Sequence, residues 1–153
     1  LLAFSLAFAI GYLWNSPVDS NEIMARTAVG LDGVALALAS GAAAALSLTT
    51  GLSSVLVGVM VAAALLPPTA TAGLMLGSGQ YDEALGATLL LAVNIVCVNL
   101  SAKLVFLIRG VRPRTWLDKR KARQSMILNI TVWVVSLLIL LAIILVRYEV
   151  KGV

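Results

Sequence analysis

The run GVMVAAALLPPTATAGLMLG, residues 58–77, decides the fold class. It carries no charge over a membrane-length stretch, and two adjacent prolines, Pro67 and Pro68, sit at its centre. About 20 apolar residues suffice to cross a bilayer as a helix. Lipid offers no water to freed backbone groups, so a proline pair at that depth must lie against protein or in a wet cavity. Pro67 cannot donate to the carbonyl of Ala63, nor Pro68 to that of Ala64, and each disfavours helical geometry in the residue before it. The expected result is a break over 66–69, after which Pro68 opens a second half-helix. The amides over 69–72 would then form a helix N-terminus of partial positive charge. Half-helix pairs of this kind build the midplane sites of many transporters, with cation ligands on one side and anion ligands on the other. Thr69 and Thr71 add hydroxyl ligands without fixed charge. The competing expectation is a proline kink healed by neighbouring helices.

Composition agrees with a membrane location. The chain has 153 residues, of which 61% are hydrophobic and 12% charged, with a mean hydropathy of +1.03. A soluble domain carries about a quarter charged residues. No histidine is present, which excludes serine triads with histidine, histidine-containing zinc sites and histidine proton relays. The lone cysteine, Cys97, lies in an apolar segment and cannot form an intramolecular disulfide. No metal site and no cofactor are expected.

Outward from the proline pair, the apolar runs predict an all-α polytopic transmembrane helix bundle of about five spans, with the third broken at Pro67-Pro68. The spans read as 1–14, 31–50, 52–77, 83–108 and 126–146, forming a single transmembrane domain over 1–153. Leu1 falls inside an apolar run without an initiator Met or basic flank, so 1–14 is expected to be a span cut short in a fragment. Between spans, residues 15–30 are polar enough for the interface. There Ser20 or Asn21 is placed to cap a short helix, with Glu22 and Arg26 paired at i,i+4.

The 109–125 loop (RGVRPRTWLDKRKARQS) holds seven of the 11 basic residues, Arg109, Arg112, Arg114, Lys119, Arg120, Lys121 and Arg123, against the single acid Asp118. The positive-inside rule makes this loop cytoplasmic, and Trp116 suits an interfacial anchor. These basic residues are expected to contact anionic lipid headgroups; a juxtamembrane position argues against nucleic acid. Counting spans from there puts the N-terminus inside and the C-terminus outside, with Arg147 and Lys151 arguing mildly against it. A re-entrant third segment would invert everything before it.

Small residues recur at every fourth position of the second span, at Gly33, Ala37, Gly41 and Ala45, and again at Ser54, Gly58 and Ala62. Such stripes permit the close backbone approach that drives helix association in lipid. The bulky last span is expected to face lipid. In the fourth span Thr88, Asn99 and Lys103 fall within about 60° of one another on a helix, while Asn94 points elsewhere. Lys103 is near enough to the basic loop to snorkel. Asn94, near the centre, cannot, and is expected to hydrogen-bond a neighbouring helix or the backbone freed by the prolines.

SNEIMART at 20–27, the small-residue span after it, GVMVAAALLPPTATAGL at 58–74 and GATLLLAVNIVCVNL at 86–100 together resemble the domain of unknown function 389 family. Its members are uncharacterised hydrophobic membrane proteins of bacteria and archaea. The resemblance covers about residues 15–110, and its most specific element is the stretch ending in Pro67-Pro68. It implies an earlier repeat with a similar glycine, alanine, methionine and proline pattern, absent from this chain, and hence two inverted three-span repeats, a common secondary-transporter architecture. The family's name carries no activity.

These features lead to a multi-pass protein of a prokaryotic cytoplasmic (inner) membrane, homo-oligomeric, with the bilayer and an unidentified small solute or ion as partners. The expected function is a channel or secondary transporter whose site comprises Ala63, Ala64, Pro67, Pro68, Thr69, Thr71 and Asn94. The rival is a non-transporting scaffold or sensor with a structural proline kink. The spans lack Asp and Glu near their centres, so an enzyme is not expected.

Overall fold

The computed structural model describes residues 1–14, 20–51, 53–110 and 119–151, whose regular structure is entirely helical. The helices are α1 (Leu2–Trp14), α2 (Asn21–Met24), α3 (Leu31–Thr50), α4 (Ser54–Gly77), α5 (Tyr81–Ile108) and α6 (Lys119–Lys151). Four of them contain membrane-length apolar windows, at Gly33–Thr50, Ser54–Gly77, Tyr81–Ile108 and Ile127–Arg147; α1 is a shorter apolar helix. This is the all-α, polytopic membrane bundle that the hydropathy predicts.

The break at Pro67-Pro68 is absent. Helix α4 is one 24-residue helix with both prolines inside it. At 1.5 Å per residue it is about 36 Å long, more than a hydrocarbon core of about 30 Å, so it is long enough to cross the bilayer as one helix. A proline in a helix interior costs about 3 kcal/mol when nothing replaces its lost hydrogen bond. A side chain of α5 replaces one of them, as described below.

Helix ends follow local chemistry. Gly79 takes φ 78°, the left-handed conformation that stops α4, and the amide of Gln80 donates to the carbonyl of Met75 at 2.9 Å. That pairing serves a carbonyl the terminating helix would leave free. Gly51, at φ 78°, ends α3 in the same left-handed conformation. Ser20 is the N-cap of α2, but through its backbone alone: its carbonyl accepts from Ile23 and Met24 while its side chain makes no capping bond. Arg26 and Glu22 pair at 3.7 Å with side chains 44% and 86% exposed, a solvated pair worth a few tenths of a kcal/mol at about that exposure.

The chain forms two compact units, Leu1–Ala37 with Ala62–Ile95, and Leu38–Val61 with Val96–Val153. In the first, α1 lies parallel to the C-terminal half of α4 at backbone contact. A Cβ on Gly73 would fall 2.5 Å from the Phe4 carbonyl oxygen, and one on Gly77 or Gly11 would overlap the carbonyl oxygens of Phe8 and Leu74. The core of this unit includes Ala64, Ala72, Met75, Ala84, Ala87 and Val93. In the second unit Gly41 of α3 sits on Val98 and Ser101 of α5, with Ala44, Ala45, Cys97 and Ile144 buried. The Gly33-Ala37-Gly41-Ala45 stripe is thus a packing face, since Ala37 is fully buried and Gly33 faces Leu90.

Ser54, Gly58 and Ala62 differ. All three are exposed, and no atom lies within 4 Å of a Cβ placed on Gly58. Small residues permit close approach without requiring it, and within this chain α3 and α5 take the other side of α4. Helix α6 has only 6% of its apolar window buried, against 33% for α5, so its bulky side chains are left largely uncovered by the described residues of this chain.

Candidate functional site

The proline pair and Asn94 meet at the centres of their helices. Asn94 stands midway along the 28-residue α5, about 20 Å from either end. Its Nδ2 donates to the carbonyl of Ala64 at 2.8 Å. That carbonyl is the one Pro68 cannot serve, so the side chain of α5 supplies the donor that α4 lacks. Neighbouring helices are one of the means by which membrane helices tolerate proline.

This bond determines the orientation of the amide. Turning it over would set Oδ1 against the Ala64 oxygen, two acceptors face to face. With Nδ2 committed to α4, Oδ1 faces away, and it is buried without a hydrogen-bond partner among the described residues. Asn94 as a whole is 6% exposed. A buried acceptor left unpaired costs on the order of 1–3 kcal/mol.

The other expected site residues divide by face. Ala64 and Thr71, 2% and 4% exposed, and Pro68 are buried on the core side of α4. Ala63 is on the exposed side, and Pro67 is partly covered. Thr69 turns its hydroxyl onto the carbonyl of Leu65 at 2.6 Å, within its own helix. Because α4 continues, the expected helix N-terminus over 69–72 does not exist, and its amides are not free to bind an anion. The residues that remain together at mid-span are Ala64, Pro68 and Asn94.

On α5, Thr88 donates its hydroxyl to Ala84 at 2.8 Å within its own helix, and Lys103 reaches α6. Arg109 is exposed just after α5. Arg112 and Arg114, and the side chains of Lys119, Arg120, Lys121 and Arg123, lie outside the described residues. Two groups escaped the sequence reading. Gly73 and Gly77 form a Gly-x-x-x-Gly pair, a signal visible in the sequence, and Gly11 completes their contact with α1. Asn129 and Trp133, the α6 partners of Lys103, have an i,i+4 spacing that becomes informative only once α5 and α6 are known to be neighbours.

Residues 1–100 match the family described as Domain of unknown function (DUF389). An uncharacterised protein of Methanocaldococcus jannaschii is 35% identical over 129 residues, covering 84% of this chain and 40% of that protein. The chain therefore spans well under half the length of this curated relative. No solved structure matches. A multi-pass helical bundle, a family match over most of the chain and a relative at this identity agree: the chain belongs to the DUF389 family of membrane proteins.

Proposed function

We propose that this chain is part of a channel or secondary transporter for a small solute or ion, homo-oligomeric, in the cytoplasmic membrane of a prokaryote. Its polar midplane element is the Asn94 side chain clamped on Ala64. The observation that carries this reading is the Asn94 Oδ1 atom, an acceptor held at mid-span without a donor among the described residues. Polar groups inside the membrane are expensive and as a rule mark a solute path, a proton relay or a helix–helix bond. Asn94 makes the helix–helix bond with one end of its amide, and the other end remains for a donor. Water, a hydroxyl or an ammonium group can donate to it, and a partly dehydrated cation can be coordinated by it.

The charge pattern narrows the solute. Helix α5 carries its acids, Asp82 and Glu83, in its first turn, far from Asn94. A site with one neutral acceptor and no carboxylate among the described residues suits a neutral solute or a weakly held cation better than a tightly bound divalent ion.

The rival reading, a scaffold or sensor, is favoured by the continuity of α4, since the helix runs through both prolines and the Pro68 defect is repaired from α5. One experiment separates the two. In the full-length protein with Cys97→Ala, a cysteine replacing Asn94 is treated with a small water-soluble thiol reagent in membranes. Modification at a rate comparable with that of an interfacial control such as Ser78→Cys supports a path. A position 94 inert to the reagent, together with no flux in proteoliposomes, leaves the scaffold.

A further inference from the structure

A second polar cluster lies nearer the membrane surface, where α5 and α6 approach one another. Lys103 of α5 donates from Nζ to Oδ1 of Asn129 on α6. The same Oδ1 accepts from Nε1 of Trp133 at 3.1 Å. Nζ stands 5.1 Å from the centroid of the Trp133 ring, within range of a cation–π interaction. Asn129 is exposed, Lys103 and Trp133 are partly covered, and the apolar window of α6 opens at Ile127, just before them. Lys103 lies little more than one turn before the end of α5 at Ile108. The cluster is therefore at interfacial depth, on the side of the basic 109–125 loop.

Its donor and acceptor balance is one-sided. Asn129 Oδ1 already takes two donors, which fills its lone pairs. An ammonium has three N–H groups and an asparagine amide two, so the open valences that remain on Lys103 and Asn129 are donors. No carboxylate among the described residues pairs with Lys103; its partners are Asn129 and the Trp133 ring. The Trp133 ring attracts the ammonium without cancelling its charge. A snorkelling lysine would send its head to water as an isolated group. This one is drawn sideways onto α6 by two named partners, which orients the remaining donors.

We propose that Lys103, Asn129 and Trp133 form a binding site for a phosphate monoanion, presented as the phosphodiester of an anionic lipid in the cytoplasmic leaflet. Donors alone, with one positive charge, select an anion. The depth selects a group that the bilayer itself carries there, and lysine is an established point-charge ligand of phosphate. Indole side chains favour the same headgroup layer. This site is separate from the basic loop and from Asn94, and it does not depend on whether the protein transports.

The test uses Trp133 as a local reporter in the full-length protein with Trp14→Phe and Trp116→Phe, reconstituted in vesicles containing brominated lipid. Brominated phosphatidylglycerol should quench Trp133 at about fivefold lower mole fraction than brominated phosphatidylcholine, the worth of one basic residue at an anionic surface. Lys103→Gln should remove that preference and Lys103→Arg should keep it. Replacing Lys119, Arg120, Lys121 and Arg123 with Gln should leave it in place. Equal quenching by the two lipids, a preference surviving Lys103→Gln, or a preference lost with the loop residues alone would overturn the site. Relief of quenching by inorganic phosphate at the same concentration as the lipid would overturn the lipid source in favour of a free anion.

Discussion

The Asn94 side chain donates at 2.8 Å to the carbonyl of Ala64, the one acceptor in α4 that Pro68 leaves without its helical amide. One helix thereby repairs a defect in the next, and the repair is specific to a residue pair. It also accounts for an asparagine in an otherwise apolar span and for one of the two hydrogen bonds that the consecutive prolines remove from a continuous helix.

The repair predicts a coupling. Pro68→Ala returns an amide donor to Ala64, after which Asn94 is no longer needed there. Asn94→Leu should destabilise the protein by about 1–3 kcal/mol less in the Pro68→Ala background than in the wild type. Unfolding in detergent by denaturant or heat, analysed as a double-mutant cycle, measures the difference. Additivity within about 0.3–0.5 kcal/mol would show that the two residues do not share the bond.

Glycines at backbone contact should behave unlike the exposed one. A Cβ on Gly73 or Gly77 runs into the main chain of α1, which cannot yield as a flexible side chain can. Gly73→Ala and Gly77→Ala should each lower the unfolding temperature in detergent. Gly58→Ala meets nothing and should be neutral or raise stability by up to about 1 kcal/mol, the difference in helix propensity. A loss at Gly58 would instead place that face of α4 against another chain of the assembly.

The α3–α5 seam gives a larger contrast. Gly41→Leu would drive a side chain into Val98 and Ser101, whereas Leu138, 60% exposed on α6, is truncated at little cost. Overpacking costs about 1–3 kcal/mol and occasionally more. Size-exclusion chromatography and thermal unfolding should show Gly41→Leu impaired and Leu138→Ala close to wild type; equal effects would remove the seam.

Topology is testable by labelling. In a Cys97→Ala background, cysteines at Ser78, in the turn after α4, and at Thr115, in the basic loop, should react with a membrane-impermeant thiol reagent from opposite sides. Helix α5 runs between the two positions, and the positive-inside rule expects Thr115 on the cytoplasmic side. Labelling from one side would overturn the arrangement.

The spans, the short turns and the burial of the Gly33-Ala37-Gly41-Ala45 stripe were legible in the order of residues, because hydropathy over a membrane-length window and four-residue periodicity are local properties of a helix. The state of the proline pair was not. Pro67 and Pro68 remove two donors whatever the fold, and a break or a continuous helix then depends on whether another segment brings a donor to that depth. Asn94, distant along the chain, does so only once α4 and α5 are packed side by side. The same holds for Lys103, whose snorkelling is predictable from its place near the loop but whose attachment to Asn129 and Trp133 depends on α6. Likewise the Ser54-Gly58-Ala62 stripe repeats the pattern of its buried counterpart and yet is exposed. Residue type states what a helix face permits, and the neighbouring helices determine which permitted contact is made.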